Sequence, residues 1–529
     1  MAAALRGILP TLRRVFPWRI ENPVLAKELR TRIRGTRSYW LIAGYVTALG
    51  IAVSIAYLSW WTIDRMRGAS PMGSQLGHNI FLWVFYLQAF LITVIPPALT
   101  AGAITLEREQ KTLELLAVST LKGREVVMGK LLPGTLMMLL LLFISAPVGS
   151  LSSLFGGVAP MDLVTAYVAL ALYGFTLSTM GIFWSAINRG TAGSVVVTFA
   201  VVFVYLMLAG VTATGLMRGM GAGAGATSAV PFAQTLTPFL ILAVADRTVP
   251  VFGLNLPALV VPLVLYAMTG ALFIAVASTK IEFLREDRSP WVRTLTLALS
   301  LTALFIALGN GWAFRALTST PSLADARVAA MLALSALGAV VLVCTPALAT
   351  GGPRQFRRPF RLYDPRAWFT SHPSGGLAFL VLWTALGTAL VAGAMTLAGY
   401  PPTSAGMAET LTVMLVLIAS VAFGLGGLGW AAARRSRSRG VGIMTVVLAI
   451  FFLLVVPAAV WAGAGPWRQP LQTLSPIRYL SPMAALDEQD NRILGQPAAG
   501  PQAWLITSGV YILVGAVALG LGGMRRRND

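Results

Sequence analysis

The sequence predicts an all-α polytopic membrane protein of about twelve transmembrane helices, in two unequal halves behind an N-terminal amphipathic elbow helix. Three observations lead there. Of the 529 residues, 57% are hydrophobic and only 11% are charged, whereas a soluble domain carries about 25% charged residues. Apolar runs of roughly 20 residues recur along the chain, each long enough to cross a hydrocarbon core of about 30 Å. The basic residues lie in the loops between these runs and mostly on one side. The net charge of +21 therefore marks topology and not a nucleic-acid surface.

Residues 1–37 form a basic arm, with nine Lys or Arg against two Glu and none of the apolar centre of a cleavable signal peptide. Asn22-Pro23 reads as a helix start, a side-chain cap followed by proline at the first helical position. Val24, Leu25, Leu29 and Ile33 then line one face, and Lys27, Glu28, Arg30, Arg32 and Arg34 occupy the rest. A basic amphipathic helix of this kind lies in the membrane interface and leans on anionic lipid. A simple positively charged anchor ahead of the first span has the same composition, and the two readings are compatible.

Six apolar runs follow over 38–61, 80–105, 127–152, 161–187, 191–215 and 254–279, within a first unit of residues 38–285. Six more, over 292–314, 326–349, 375–398, 408–433, 440–464 and 503–524, belong to a second unit of residues 286–529. With a cytosolic N-terminus, the loops on the cytosolic side hold 31 of the 40 Lys and Arg. That asymmetry places both termini in the cytosol of a bacterial-type cytoplasmic membrane. Trp60-Trp61 and Trp467 read as interfacial anchors.

The long charged segment of the first half is Leu106–Lys130, LEREQKTLELLAVSTLKGREVVMGK. Glu107 and Lys111 stand four apart in the favourable order for a helical ion pair. Leu106, Leu113 and Leu116 recur at spacings that give an apolar stripe, which leaves Glu107, Lys111 and Glu114 on the polar side. The pattern predicts a surface helix, a break at Ser119–Thr120 and a second short helix leading into the next span. A solvated helix that merely joins two spans would read the same way.

Glu107-Arg108-Glu109-Gln110-Lys111-Thr112-Leu113-Glu114, followed by Gly129-Lys130-Leu131-Leu132, resembles the cytosolic segment of type-2 ABC exporter permeases. There the pattern runs roughly E-R-E-x-G-T-L-E, a polar break and G-K-L-L at the start of the third span. Lys111 stands where the family usually has Gly. The resemblance extends to the elbow helix with which such permeases begin. It implies a membrane subunit moved by a separate cytosolic ATPase, itself dimeric, that binds Mg-ATP. The coupling contact would be Glu107, Arg108, Glu109, Lys111, Thr112, Leu113, Glu114, Lys122 and Arg124. The elbow would be Asn22, Pro23, Leu25, Lys27, Glu28, Leu29 and Arg30.

The halves echo one another. Pro17-Trp18-Arg19-Ile20-Glu21-Asn22-Pro23 matches Pro359-Phe360-Arg361-Leu362-Tyr363-Asp364-Pro365, so Arg361, Asp364 and Pro365 mark a candidate second elbow. Thr235-Leu236-Thr237-Pro238 matches Thr473-Leu474-Ser475-Pro476, and Asn188-Arg189-Gly190 has a counterpart in Arg437–Gly440. A duplicated permease fused into one chain explains the common order. The second elbow precedes the ninth run, however, so either runs seven and eight are an inserted pair or the second half has lost two spans. The basic loop Pro353–Ser374 stands weakly in place of a second motif.

Absences narrow the function. No Asp, Glu, Lys or Arg stands near the middle of a run, where carriers keep charges only for coupling work. Gly123–Leu131 has five residues between its glycines and Leu in place of Ser or Thr, so it is no Walker A loop. Gly424-Leu-Gly426-Gly427-Leu-Gly429 satisfies G-x-G-x-x-G formally, but within a span it predicts close helix packing. His78 and His372 are far apart, and the single Cys344 sits in an apolar run. The sequence thus predicts no catalytic or metal residue in this chain and no nucleic-acid partner. Uniformly apolar spans favour hydrophobic or amphiphilic cargo. A gradient-driven transporter and a non-transporting scaffold stay open.

Overall fold

The computed structural model describes residues 25, 27–28, 36–67, 73–113, 122–156, 158–219, 248–281, 289–318, 322–349, 373–404, 406–436, 439–450 and 503–523. It divides the chain into two compact units. The first comprises Met1–Gly221, Ala233–Thr248 and Pro257–Glu286, and the second Ala222–Phe232, Val249–Leu256 and Asp287–Asp529.

In the first unit the helices are α1 (Thr36–Arg67), α2 (Gly73–Thr100), α3 (Thr105–Glu109), α4 (Gly123–Leu154), α5 (Pro160–Ile187), α6 (Thr191–Gly219) and α7 (Val260–Ile281). Pro160 begins α5 at a position where its missing N–H costs nothing. On α5, Ala166, Ala169, Leu170, Tyr173, Leu177 and Met180 are all buried, a helical repeat of three and four that places α5 at the centre. It packs against α2, α4, α6 and α7.

The arrangement of polarity is that of a bilayer protein. Large apolar side chains such as Phe143, Leu154 and Phe203 face outward. Many hydroxyl and amide groups are turned inward and satisfied there, the Tyr45 and Ser508 hydroxyls excepted. Gln88 Nε2 donates to the Tyr167 hydroxyl at 3.1 Å. That hydroxyl also meets Ser145 Oγ at 3.1 Å, and Thr93 meets Tyr173 at 3.2 Å. In hydrocarbon an unsatisfied polar group costs several kcal/mol, so buried polar side chains must find one another. The protein is a helical, multi-pass membrane protein, with one small exception among the described residues.

That exception is a hairpin of β1 (Thr248–Val251) and β2 (Leu254–Pro257). The expected span over 254–279 therefore begins later, as α7 at Val260. Phe252 and Gly253, at φ 47° and 85°, form the two-residue turn with both central residues left-handed that joins paired strands. Leu254 and Leu256 read as part of an apolar run only because strand and helix share apolar residues. Asn310 Nδ2 donates to the Pro250 carbonyl at 3.2 Å, and the Phe252 and Phe305 rings lie 5.5 Å apart.

The second unit contains α8 (Ser289–Thr318), α9 (Leu323–Ala349), α10 (Pro373–Leu397), α11 (Met407–Ser436), α12 (Arg439–Ile450) and α13 (Ala503–Gly523). Among the described residues, ten helices are long and apolar enough to cross a membrane. The runs expected over 191–215 and 440–464 are not among them. Helix α6 runs to Gly219, but its side chains are described only as far as Met207, and residues 451–464 lie outside the described residues. Around α11 are α9, α10, α12 and α13. Each closely packed helix pair of this unit has a counterpart at the same ordinal position in the first, which adds its third spanning helix against its sixth.

Helix α11 packs closely on α13. A Cβ on Gly424 would stand 2.6 Å from the Tyr511 carbonyl oxygen, and one on Gly427 would stand 3.1 Å from Gly515 Cα. These glycines of the G-x-G-x-x-G stretch let two backbones meet, as small residues do between membrane helices. Gly424→Leu is expected to destabilise the protein by about 1–3 kcal/mol, as other overpacked contacts do. Thermal unfolding in detergent measures this, with Gly520→Leu, which faces open space, near neutral.

Candidate functional site

Sequence-distant segments of the first unit meet at one end of it, around the ammonium of Lys130. Lys130 belongs to the second turn of α4 and its side chain is only 6% exposed. Its Nζ lies 2.5 Å from Glu28 Oε1 and 2.5 Å from Glu107 Oε1. A buried cation is tolerated only when paired, because its desolvation costs several kcal/mol. Here two carboxylates share it. Glu107 Oε2 is buried as well and has no hydrogen-bond partner, so this carboxylate depends on Lys130.

Glu28, 102 residues before Lys130, and Glu107 of the E-R-E stretch, 23 residues before it, thus meet at the G-K-L-L stretch. Glu107 therefore does not make the expected helical ion pair with Lys111. The reason is a chain reversal. Helix α3 ends at Glu109, and Lys111 adopts φ 61°. Thr112 N donates to the Glu107 carbonyl at 2.9 Å and Lys111 N to the Arg108 carbonyl at 3.1 Å. This is the paired-bond helix stop that normally places glycine at the left-handed position. The single surface helix expected through Leu116 is thus broken at Gln110–Lys111. Leu106 is half exposed, whereas Leu113 packs on the buried cluster of Ile104, Val126, Val127, Leu131 and Ile182.

The other two motif charges fasten neighbouring helix ends. Arg108 donates through Nη1 to the Asn188 carbonyl and through Nη2 to the Ala186 carbonyl, the latter at 3.2 Å. It thereby satisfies carbonyls at the C-terminus of α5, where a cation complements the helix dipole. Glu109 takes the opposite pole. Its Oε1 accepts from Thr191 N at 2.7 Å and its Oε2 from Thr191 Oγ1 at 2.9 Å, at the N-terminus of α6. Ser185 Oγ accepts from Ile104 N and Thr105 N at 2.9 and 3.1 Å, and Ser194 Oγ donates to the Ala101 carbonyl at 2.6 Å. The segment 101–112 is stitched to the α5–α6 turn on both sides.

Among the remaining expected site residues, Lys111, Thr112, Lys122 and Arg124 are exposed. Lys122 N donates to Glu125 Oε2 at 3.0 Å and caps α4. Leu25 is half-buried and Lys27 exposed. Asn22, Pro23, Leu29, Arg30, Glu114, Arg361, Asp364 and Pro365 lie outside the described residues. The sequence reading named Lys130 in the G-K-L-L stretch and Asn188 in a turn but placed neither in the coupling set, and it did not single out Ser185 or Thr191. Lys130 carried a signal, because a lysine that deep in a span requires a carboxylate; the other three look like ordinary polar residues of a turn. Neither a model of a known protein family nor a curated protein sequence matches the chain.

Two measurements follow from this geometry. Lys130→Ala leaves two carboxylates without their cation and is expected to lower stability by about 3 kcal/mol, as in other broken buried pairs. Thermal unfolding of the purified protein reads the loss. Lys111→Gly relieves the left-handed residue and is expected to stabilise by about 1 kcal/mol, whereas Lys111→Val destabilises. The same assay separates the two signs.

Proposed function

We propose that this chain is the membrane-spanning permease subunit of an ATP-driven exporter of the type-2 ABC kind. A separate, dimeric cytosolic ATPase that binds Mg-ATP would drive it, through the loop between its second and third spans. The convergence on Lys130 carries this reading. The three stretches that resemble the permease family are the elbow, the E-R-E motif and the G-K-L-L sequence, and a plain connecting loop gives no reason for all three to share one buried ammonium. The arrangement suits transmission. Force on segment 105–112 passes to α4 and the elbow through Lys130, and to α5 and α6 through Arg108 and Glu109. Rigid, mutually fastened elements transmit a domain closure in this way.

The shared order of helix packing supports a duplicated permease, with α8 and α9 as the first two spans of a complete second repeat. Loop 350–372 would then occupy the ordinal place of the motif loop, and Arg361, Asp364 and Pro365 would belong to that loop and not to an elbow ahead of the repeat. The proposed location is a bacterial-type cytoplasmic membrane, with both termini and the motif loop in the cytosol. Cargo of hydrophobic or amphiphilic character fits spans that hold no ionisable group near their middle.

Purification of the tagged chain in mild detergent, with assay of ATP hydrolysis, tests the function. The expected result is a soluble ATPase retained in fixed ratio. Glu107→Ala or Glu109→Ala is expected to reduce the hydrolysis it supports by at least about tenfold, with membrane insertion intact. A chain that retains no ATPase, and moves substrate only with an ion gradient or not at all, would overturn the reading.

A further inference from the structure

The direction in which the motif's charges point decides what kind of surface a partner meets. The two described carboxylates of the E-R-E stretch are engaged within the protein, Glu107 by Lys130 and Glu109 by Thr191 through both oxygens. Glu125 is drawn to the start of α4 by Lys122 N. The Arg108 guanidinium is turned to the carbonyls at the end of α5. Exposed here among the described residues are the cations Lys111, Lys122, Arg124 and Arg189 and the carboxylate Glu109, together with Gln110, Thr112 and the half-exposed side chain of Leu106. Cations thus outnumber carboxylates around one leucine among the described residues, and the exposed carboxylate is held by Thr191.

We propose that this surface docks into an acidic groove of the ATPase partner, with Leu106 on an apolar floor and the lysines against carboxylates. This rests on the permease reading and adds the chemistry of the partner's contact. Charge complementarity is the argument, since apposed patches of opposite sign steer association and set register, whereas like charges oppose it. Anionic phospholipid is the competing anion. The fastening of Arg108 and Glu109 to the ends of α5 and α6 favours the protein. It holds residues 110–112 at the level of the turn where both spans stop, so this surface meets water and not acyl chains.

The test treats membranes containing the tagged full-length chain with a carbodiimide, which activates a carboxylate for attack by an amine; the amide forms as the carbodiimide, having taken up the elements of water, leaves as a urea. The chain is then purified and its cross-linked peptides are sequenced. Isopeptide bonds from Lys111 or Lys122 to Asp or Glu of a retained, ATP-hydrolysing subunit are expected. The chain carrying Lys111→Glu and Lys122→Glu, at wild-type membrane levels, is expected to retain about tenfold less of that subunit. The neutral pair Lys111→Gln and Lys122→Gln is expected to fall between, and it decides the matter if the reversed chain misfolds. Undiminished retention by the neutral and reversed chains, with loss only of bound phosphatidylglycerol, would overturn the acidic groove and leave the permease reading standing. Failure of the wild-type chain to retain any ATP-hydrolysing subunit would overturn both.

Discussion

A lysine taken out of water in a membrane protein must be neutralised where it sits, and in this chain that constraint organises one end of the first unit. Lys130 lies on the span that follows the charged segment, one carboxylate reaches it from Glu28, near the start of the chain, and another from Glu107, on the helix before the loop. Removing Lys130 leaves two carboxylates without their cation, which costs more than the pairs contribute. The arrangement is valuable as a constraint on position, because Glu28 and Glu107 cannot move independently of α4 while it holds.

The same end illustrates how helix termini can be used as attachment points. The α5–α6 turn exposes carbonyls on one side and N–H groups on the other, and Arg108-Glu109 supplies a donor and an acceptor in adjacent residues. Two opposite helix poles are satisfied by one dipeptide. This accounts for the E-R-E order without reference to any partner. The motif's carboxylates act here as internal fasteners, and the exposed neighbours Lys111 and Lys122 are left to make outside contacts.

The multi-pass character of the chain was legible in the sequence because a span needs only length and apolarity. Hairpin 248–257 was hidden, since Leu254 and Leu256 merge with the run that becomes α7. The stop of α3 was hidden for a different reason. Lysine is a good helix former, so Lys111 reads as helix interior, and only the glycine usual at that place in the resembling family hints at a left-handed residue. The partner of Glu107 was beyond local reading as well. Periodicity pairs residues three or four apart, whereas Lys130 stands 23 residues on and Glu28 lies 102 residues before it. Contacts of that range follow from how the helices pack, which no single stretch encodes.

The account turns on Lys130 joining the stretch around Glu28 to the rest of the unit, and a double-mutant cycle between Glu28 and Lys130 addresses that bond alone. Unfolding free energies of the wild-type protein, Glu28→Gln, Lys130→Met and the double variant would be compared in one detergent. Residues sharing an ion pair couple by about 0.5–3 kcal/mol, and independent ones add to within about 0.3–0.5 kcal/mol. The account predicts a favourable coupling above 1 kcal/mol, whatever the single substitutions cost. Simple additivity of the two losses would mean that the elbow is held by something else, and would contradict it.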